Sequence, residues 1–546
     1  MRQLILCCDG TNNNFTGGVA DTSVVKLREL LAAQGDADQR LFYDPGVGNA
    51  GQLPAATLGS KLRGFSERMA GLAFGRGVYE NIAEGYRFLM REYRAGDQIF
   101  IFGFSRGAFT ARSIGGLVNM FGVLRPEAGT MLPTLLHLYF ADSAKVDRSD
   151  EKQAKPEVLT AQIKRNFGQG EVPIHFVGVW DTVASVGMWP FGLKFTAKPT
   201  LAGKHFIHVR QALALDEQRA QFKPRLYAED NGSFPCASGF GTGTLQQLWF
   251  RGSHCDVGGG YSRPASTLSI TPLCWLLAEA CQLGLRLSAN GQPLLTEAAV
   301  HQALRDFVPP LDSGGAPPCI HSQLQQTPIW AITGLAVRDT HRVDLDDFRD
   351  PRVKPVEHPS VAAWPAKFPQ DTAWAHWNPG KTEVLMLLLA VFCPVLMAHL
   401  SSHQGVHEFA TWQLAWWRHG LPVSWPENVD HLLWQLLIDL PFIVAWAWLL
   451  STLAARAFAR RAGLRRAKDH VRRWLLILGW SLTLAVFADL GEDLFSALTL
   501  GSLSFGHEWL ASAFAVLMSI CSAGKWLGLA GTLLLIASGL LPARQT

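Results

Sequence analysis

Short apolar runs alternate with longer helical patterns over roughly the first 345 residues of the chain. Each run has the length of a buried strand, and Asp or Gly directly follows the first four, as is common where parallel strands end. The runs are Leu4–Cys8, Arg40–Tyr43, Gln98–Phe102, Ile174–Trp180 and the less regular Leu245–Phe250. Between two of them, Val78, Ile82, Tyr86 and Leu89 recur at the spacing of one helix face. The alternation predicts an α/β fold, with a mostly parallel sheet covered by helices on both faces.

The pattern changes after about residue 380, where long apolar runs with few charges replace the short ones. A helix that spans a membrane needs about 20 apolar residues. The long runs are Val384–Leu400, Leu432–Ala455, Trp474–Ala488 and Trp509–Leu541. They predict an α/β domain at 1–345, a Pro-rich linker at 346–380 and an all-α transmembrane region of about three to five helices at 381–546. A buried all-helical domain is the alternative for the last part.

The distribution of charge predicts how such a region would be oriented. Segment Arg456–Arg473, between two apolar runs, holds eight Lys or Arg and one acidic residue. Basic loops of this kind stay in the cytoplasm. The run Leu4–Cys8 is too short for the apolar core of a signal peptide. We therefore expect a multi-pass membrane protein whose α/β domain is cytoplasmic in the producing cell.

Composition narrows the classes of function. The net charge of +4 is too small to indicate a nucleic-acid partner. The 9 cysteines form no CxxC pair and show no metal-ligand spacing, so we expect reduced thiols and neither a metal nor a redox cofactor.

One apolar run leads directly into a sequence that carries chemistry. Gly103-Phe104-Ser105-Arg106-Gly107 follows the third run and precedes a helical pattern, giving strand, Gly-x-Ser-x-Gly and helix in order. In this context the serine lies on a sharp turn where side chains at 103 and 107 would collide with backbone. Ser105 is therefore a candidate nucleophile, and an incidental tight turn is the alternative.

A nucleophilic serine needs a base, and the base needs an orienting acid. In α/β-hydrolases the acid and then the histidine follow the serine along the chain. Asp181 directly follows the fourth run and His254 lies shortly after the fifth, so these two complete a candidate triad. His341 is a reserve candidate for the base and Asp256 for the acid.

The negative oxygen formed during ester hydrolysis needs two backbone N–H donors. The residue after the nucleophile, Arg106, supplies one of them in this type of site. The loop after the first run starts with Gly10 and Thr11 and suits the second donor. An Asx-rich turn without a chemical role is the alternative for that loop.

Six sequence segments together resemble the uncharacterised α/β-hydrolase domain family that includes the first family of type VI secretion lipase effectors. They are Cys8-Asp9-Gly10-Thr11-Asn12-Asn13, Pro45-Gly46-Val47-Gly48, Gly103-Phe104-Ser105-Arg106-Gly107-Ala108, Val179-Trp180-Asp181-Thr182, Ala214-Leu215-Asp216-Glu217 and Gly252-Ser253-His254-Cys255-Asp256-Val257-Gly258-Gly259-Gly260-Tyr261. The resemblance implies a Ser-Asp-His triad and, for the effectors, phospholipase activity against a rival's membrane. Cys255 departs from the pattern, which has Ser there.

The leading hypothesis is a serine esterase of the lipase type that hydrolyses acyl esters of membrane phospholipid. The membrane is then a partner, and a secretion apparatus and an immunity protein are further candidate partners if the protein is an effector delivered into a target cell. Two alternatives stay open. One is a membrane-bound sensor or scaffold with an inactive hydrolase-like domain, and the other is an esterase or thioesterase of a soluble substrate.

Overall fold

The computed structural model of the chain divides into two compact units, and each unit is built from three separate segments of the sequence. The first unit comprises Met1–Glu217, Phe222–His321 and Arg338–Pro365, and the second comprises Gln218–Gln221, Ser322–Val337 and Ala366–Thr546. The structure describes residues 1–10, 21–46, 71–140, 156–183, 185–186, 193–194, 200–261, 267–307, 320–323, 327–335, 338, 355–363, 381–402, 429–462 and 469–540.

A parallel sheet forms the centre of the first unit. Its strands are β1 (Gln3–Cys8), β2 (Gln39–Asp44), β3 (Gln98–Phe104), β4 (Ile174–Trp180), β7 (Phe206–Ala214), β9 (Thr242–Phe250) and β12 (Val356–Glu357), with the short β8 (Gly232–Pro235) antiparallel to β9. The strands lie in the order β12-β9-β7-β4-β3-β1-β2. The small pairs β5 (Ser185–Val186) with β6 (Leu193–Lys194) and β10 (Ser288–Ala289) with β11 (Gln292–Pro293) lie outside the sheet. All five predicted runs fall inside strands, which confirms the predicted α/β class.

Helices cover both faces of this sheet. The helices of this unit are α1 (Ser23–Gln34), α2 (Gly71–Glu92), α3 (Arg106–Phe121), α4 (Leu132–Phe140), α5 (Pro156–Phe167), α6 (His254–Gly258), α7 (Thr267–Gln282), α8 (Glu297–Phe307) and α9 (Pro359–Ala362), with a 3-10 turn at Pro126–Met131. Another 3-10 turn is formed by Ala220–Phe222. Alternate residues of β1 belong to different cores: Leu4 and Leu6 pack with α2 and α3, while Ile5 packs with α1 and α7. This alternation is what a sheet buried on both sides requires.

Strand β7 lies in the middle of the sheet, yet no apolar run predicts it. The strand contains His208, Arg210 and Gln211, which interrupt its apolar pattern. Arg210 is buried, and its Nε donates to a carboxylate oxygen of Glu279 at 2.6 Å. A buried charge of this kind is costly unless it is paired, and the pairing partner cannot be found by inspecting the strand itself.

Part of the predicted linker belongs to the sheet. In β12, Val356 is in register with Leu248 of β9 and Glu357 with Trp249. The next residue, His358, donates its backbone N–H to the carbonyl of Trp249 and caps α9. The two-residue strand is too short to give an alternating pattern, so 346–380 contains an edge strand where the sequence indicates only a linker.

The second unit is helical. It contains α10 (Lys381–Ser402), α11 (Val429–Ala462), α12 (Asp469–Ser504), α13 (Glu508–Leu540) and a 3-10 turn at Pro328–Thr333 that packs against α11 and α12. Within the described residues, Leu433–Ala457 and Glu508–Ser538 are long and apolar enough to cross a membrane, and Thr382–Met397 is a shorter apolar stretch. The predicted run Trp474–Ala488 continues into a polar half of α12. The expected number of membrane helices therefore stays a prediction.

The aromatic packing inside the sheet gives a test of the fold. Phe176 of β4 is fully buried, and its ring lies 5.6 Å from Phe102 and 6.1 Å from Phe100 between ring centroids. We expect Phe176→Ala to lower the free energy of unfolding by about 3–5 kcal/mol, because it leaves a cavity between tightly packed rings. Val158→Ala on α5, where the side chain is exposed, should change it by less than about 0.5 kcal/mol. Denaturant titration of the full chain in detergent micelles measures both, and equal effects would contradict the described packing.

Candidate active site

Ser105 lies on a strained turn between β3 and α3. Its φ is 59°, which is unusual for a residue that is not glycine. A Cβ atom at Gly103 would come within 2.5 Å of the carbonyl oxygen of Gly107, and one at Gly107 would collide with the carbonyl oxygens of Cys8 and Asp9. Both glycines are thus required by close backbone approach, as the motif predicts. The turn presents the hydroxyl of Ser105 at the carboxyl end of the sheet.

His254 is the first residue of α6, just beyond the end of β9. Its Nε2 lies 2.7 Å from Oγ of Ser105, and its Nδ1 lies 2.6 Å from Oδ2 of Asp181. The imidazole is buried and lies between the rings of Phe104 and Phe222, with centroid distances of 4.7 and 5.0 Å. These contacts fix the plane of the ring while both nitrogens make hydrogen bonds.

Asp181 follows β4 and is completely buried. Its φ is 41°, so two of the three residues predicted to act together adopt backbone conformations that are rare outside glycine. Oδ1 accepts a hydrogen bond from the backbone N–H of Ala214 at 3.0 Å. The structure therefore brings Ser105, His254 and Asp181 into one hydrogen-bonded chain that runs from hydroxyl to imidazole to carboxylate.

Arg338 is a site residue that no sequence pattern indicates. Its guanidinium contacts Asp181 through both terminal nitrogens, with Nη1 at 2.5 Å from Oδ1 and Nη2 at 2.9 Å from Oδ2. The same nitrogens donate to the carbonyls of Ala214 and Phe222. Burial alone would raise the pKa of Asp181, but the charge of Arg338 and the hydrogen bond from His254 outweigh it and lower the pKa to about 2. Asp181 is consequently ionised at every pH at which the protein is expected to work.

Two acidic residues next to each other on the loop after β7 position the segment that carries His254. Glu217 accepts the backbone N–H of His254 at 3.1 Å. Asp216 accepts from the Nε of Arg251 and from the backbone N–H of Gly252, both at 2.8 Å. Asp216 and Glu217 belong to one of the segments that carry the family resemblance, and the sequence alone assigns them no role. In the structure they hold the turn before α6.

The predicted oxyanion donors are only partly described. Arg106 is the first residue of α3, where backbone N–H groups have no partner within the helix. The N–H of Gly10 donates to Oδ1 of its neighbour Asp9 at 2.7 Å, so it is directed into its own loop here. Thr11 lies outside the described residues. The loop nevertheless approaches the start of α3 closely, because Gly107 packs against the carbonyls of Cys8 and Asp9.

The reserve candidates are placed elsewhere or lie outside the described part of the chain. Asp256 accepts from the side chain of Ser253 and pairs with Nδ1 of His321 at 2.6 Å. It therefore holds the cap of α6 and is not the partner of His254. His341 lies outside the described residues. Among those that are described, no group of three or more His, Cys, Asp or Glu side chains could hold a metal ion.

Comparisons with known proteins place this geometry in a family. The family described as "T6SS, Phospholipase effector Tle1-like, catalytic domain" matches residues 2–279. The uncharacterized protein YEL023C of Saccharomyces cerevisiae is 32% identical over 225 residues, which are 41% of this chain and 32% of the yeast protein, so the alignment spans about a third of that relative. A crystal structure of an uncharacterized protein from Pseudomonas aeruginosa aligns with 84% of this chain and 67% of its own, at 15% identity and a TM-score of 0.32. Because the family match spans more than half of the 546 residues and contains the turn of Ser105, Asp181 and His254, the chain belongs to the Tle1-like phospholipase effectors of the type VI secretion system.

Proposed function

We propose that the protein hydrolyses acyl esters of membrane phospholipid with Ser105 as nucleophile, His254 as base and Asp181 as the acid that orients it. The observation that carries the proposal is the continuous hydrogen-bonded chain through these three side chains in a chain of this family. Ser105, Asp181 and His254 all lie beyond the carboxyl ends of strands of one parallel sheet. Open α/β sheets bind their ligands at this edge.

The geometry supports a two-step reaction. Oγ of Ser105 attacks the ester carbonyl carbon while Nε2 of His254 takes the hydroxyl proton. The tetrahedral intermediate collapses when His254 returns that proton to the departing alcohol oxygen, which leaves an acyl-serine and a lysolipid. A water molecule then gives a proton to His254 and adds to the acyl carbon, and the fatty acid leaves as Ser105 regains its proton.

Four groups beside Ser105 and His254 support the same steps. Asp181 keeps the proton of His254 on Nδ1, so that Nε2 faces the serine as the acceptor. The backbone N–H of Arg106 is the proposed first donor to the negative oxygen, and the loop that begins at Gly10 and Thr11 is the proposed source of the second. Arg338 holds Asp181 ionised, and through the carbonyl of Phe222 it also fixes the ring that packs on His254.

We propose that the helical unit anchors the enzyme at its substrate. Two apolar helical stretches of membrane-spanning length support this proposal. Tethering raises the local concentration of lipid around the site. As an effector the protein would be delivered into a rival cell, with a secretion apparatus and an immunity protein as partners. An inactive sensor has no use for an aligned nucleophile and base, which favours the enzyme.

The first test removes the nucleophile. We expect Ser105→Ala to lower turnover of phospholipid vesicles by about 10⁴-fold or more, because no other group forms the acyl intermediate. A fluorophosphonate probe should label the wild type at Ser105 and leave this variant unlabelled. Ser113→Ala, which changes a buried serine within helix α3, is the matched control and should keep both properties. More than about a tenth of wild-type activity in Ser105→Ala would refute the assignment.

The second test asks whether the three residues act together. Asp181→Asn and His254→Ala should each lower turnover by several powers of ten, and the double variant should be no slower than the slower single one, because the losses of a functional unit do not add. Turnover of all three variants on the same vesicles measures this. Full activity in His254→Ala combined with loss in His341→Ala would transfer the role of base to the reserve candidate.

The third test concerns Arg338 and pH. Without the guanidinium, burial is less opposed, so the pKa of Asp181 should rise above its value of about 2. The acidic limb of the pH–activity profile should therefore shift to higher pH in Arg338→Gln, and less so in Arg338→Lys. Arg210→Gln removes another buried arginine that pairs with a carboxylate, Glu279, and controls for lost stability. A profile that moves equally in the Arg210 and Arg338 variants would show that Arg338 is only structural.

A further inference from the structure

A cavity of about 150 Å³ in the first unit lies away from the proposed triad. Arg112 lines it, seven residues after Ser105, which corresponds to about 10 Å along α3. Asn119, from the last turn of the same helix, and Phe206, the first residue of β7, also line it. The cavity thus extends toward the end of α3 opposite to the nucleophile, and the reaction proposed above makes no use of it.

The charged side chains that line this cavity are both basic. Arg112 and Lys204 line it, and no acidic residue does so among the described residues. Only 5% of Arg112 is exposed, and its guanidinium donates to neutral acceptors: the carbonyls of Arg225 and Leu226 and the amide oxygen of Gln211. Burial lowers the pKa of Arg112. Burying a cation without a counter-charge lowers the stability of the folded protein, yet the guanidinium of Arg112 is buried in this way.

Other buried arginines of the same unit each pair with a carboxylate. Arg210 pairs with Glu279 at 2.6 Å, Arg251 with Asp216 at 2.8 Å, and Arg338 with Asp181. Arg112 has no carboxylate at ion-pair distance in the described part of the chain. The carboxyl of Glu229 is near Tyr227 but does not line the cavity; its Oε1 accepts the backbone N–H groups of Leu201 and Ala202, and its Oε2 has no hydrogen-bond partner among the described residues.

An unused hydrogen-bond donor lies at the same place. The guanidinium of Arg112 stacks on the ring of Tyr227, 3.8 Å from its centroid. Tyr227 is 97% buried, lines the cavity, and its hydroxyl has no hydrogen-bond partner among the described residues. Buried hydroxyls almost always have a partner. An oxyanion in the cavity would supply acceptors for this hydroxyl and a counter-charge for the guanidinium at once.

We propose that this cavity binds a small phosphate-bearing anion, either free phosphate or a short phosphomonoester. Two cations match the charge of a phosphate dianion, and guanidinium groups bind phosphate through two parallel hydrogen bonds. A cavity of about 150 Å³ is smaller than the 300–1,000 Å³ typical for larger ligands, which excludes an intact phospholipid. The bound anion stabilises the contact of α3 with the segment Arg225–Tyr227.

Thermal unfolding of the full chain in detergent micelles tests the site independently of activity. Inorganic phosphate should raise the midpoint temperature by several degrees and in a saturable way, while sodium chloride of equal ionic strength should not. Glycerol 3-phosphate in a parallel titration distinguishes the two sources: a shift comparable to that of phosphate identifies a phosphomonoester site, and no shift identifies free phosphate as the ligand.

Two variants that should fold make the test specific. Tyr227→Phe removes only the unused hydroxyl, so without phosphate the midpoint should stay or rise, while the phosphate concentration for half of the shift should increase about tenfold. Lys204→Gln should weaken the response similarly. Arg40→Gln, an exposed change on the edge strand β2, should leave the phosphate response unchanged. Equal shifts with chloride, or an undiminished phosphate response in both cavity variants, would overturn the proposal.

Discussion

The carboxylate of Asp181 has no contact with solvent, so protein groups alone must balance its negative charge. Four hydrogen bonds do this: one from His254, one from the backbone of Ala214 and two from Arg338. The donors come from the end of β7, the start of α6 and a position far along the chain. A single buried charge therefore connects three distant segments, and the alignment of His254 with Ser105 depends on all of them being in place.

The sequence predicts the parts of this arrangement that have a local cause. Glycines on both sides of Ser105 reflect a collision that occurs within one turn. Asp181 directly follows an apolar run, and His254 lies shortly after another. The sheet class is predictable for the same reason, because burial on both faces makes a strand continuously apolar. These are properties of a few consecutive residues.

What the sequence does not reveal depends on long-range pairing. Arg338 lies 157 positions from Asp181, in a region whose pattern indicates only the end of a domain. Strand β7 carries charged and polar residues that become acceptable only through partners such as Glu279. In the helical unit, Asp489 and Glu492 interrupt an apolar pattern, yet both are buried because Lys525 of the next helix pairs with them. Side-chain pairing between elements is invisible to periodicity, and polar residues at such sites lead to missed strands and ambiguous membrane segments.

The position of Arg338 also has a consequence for the time course of biosynthesis. Ribosomes add about 5–20 residues per second, so the 157 residues between the carboxylate and its guanidinium partner take roughly 8 to 30 s to produce. During that interval the emerging sheet contains Ser105, Asp181 and, later, His254, but the acid has no counter-charge. The nascent polypeptide thus acquires the proposed catalytic residues in pieces, and their complete arrangement forms only when the last part of the first unit leaves the ribosome.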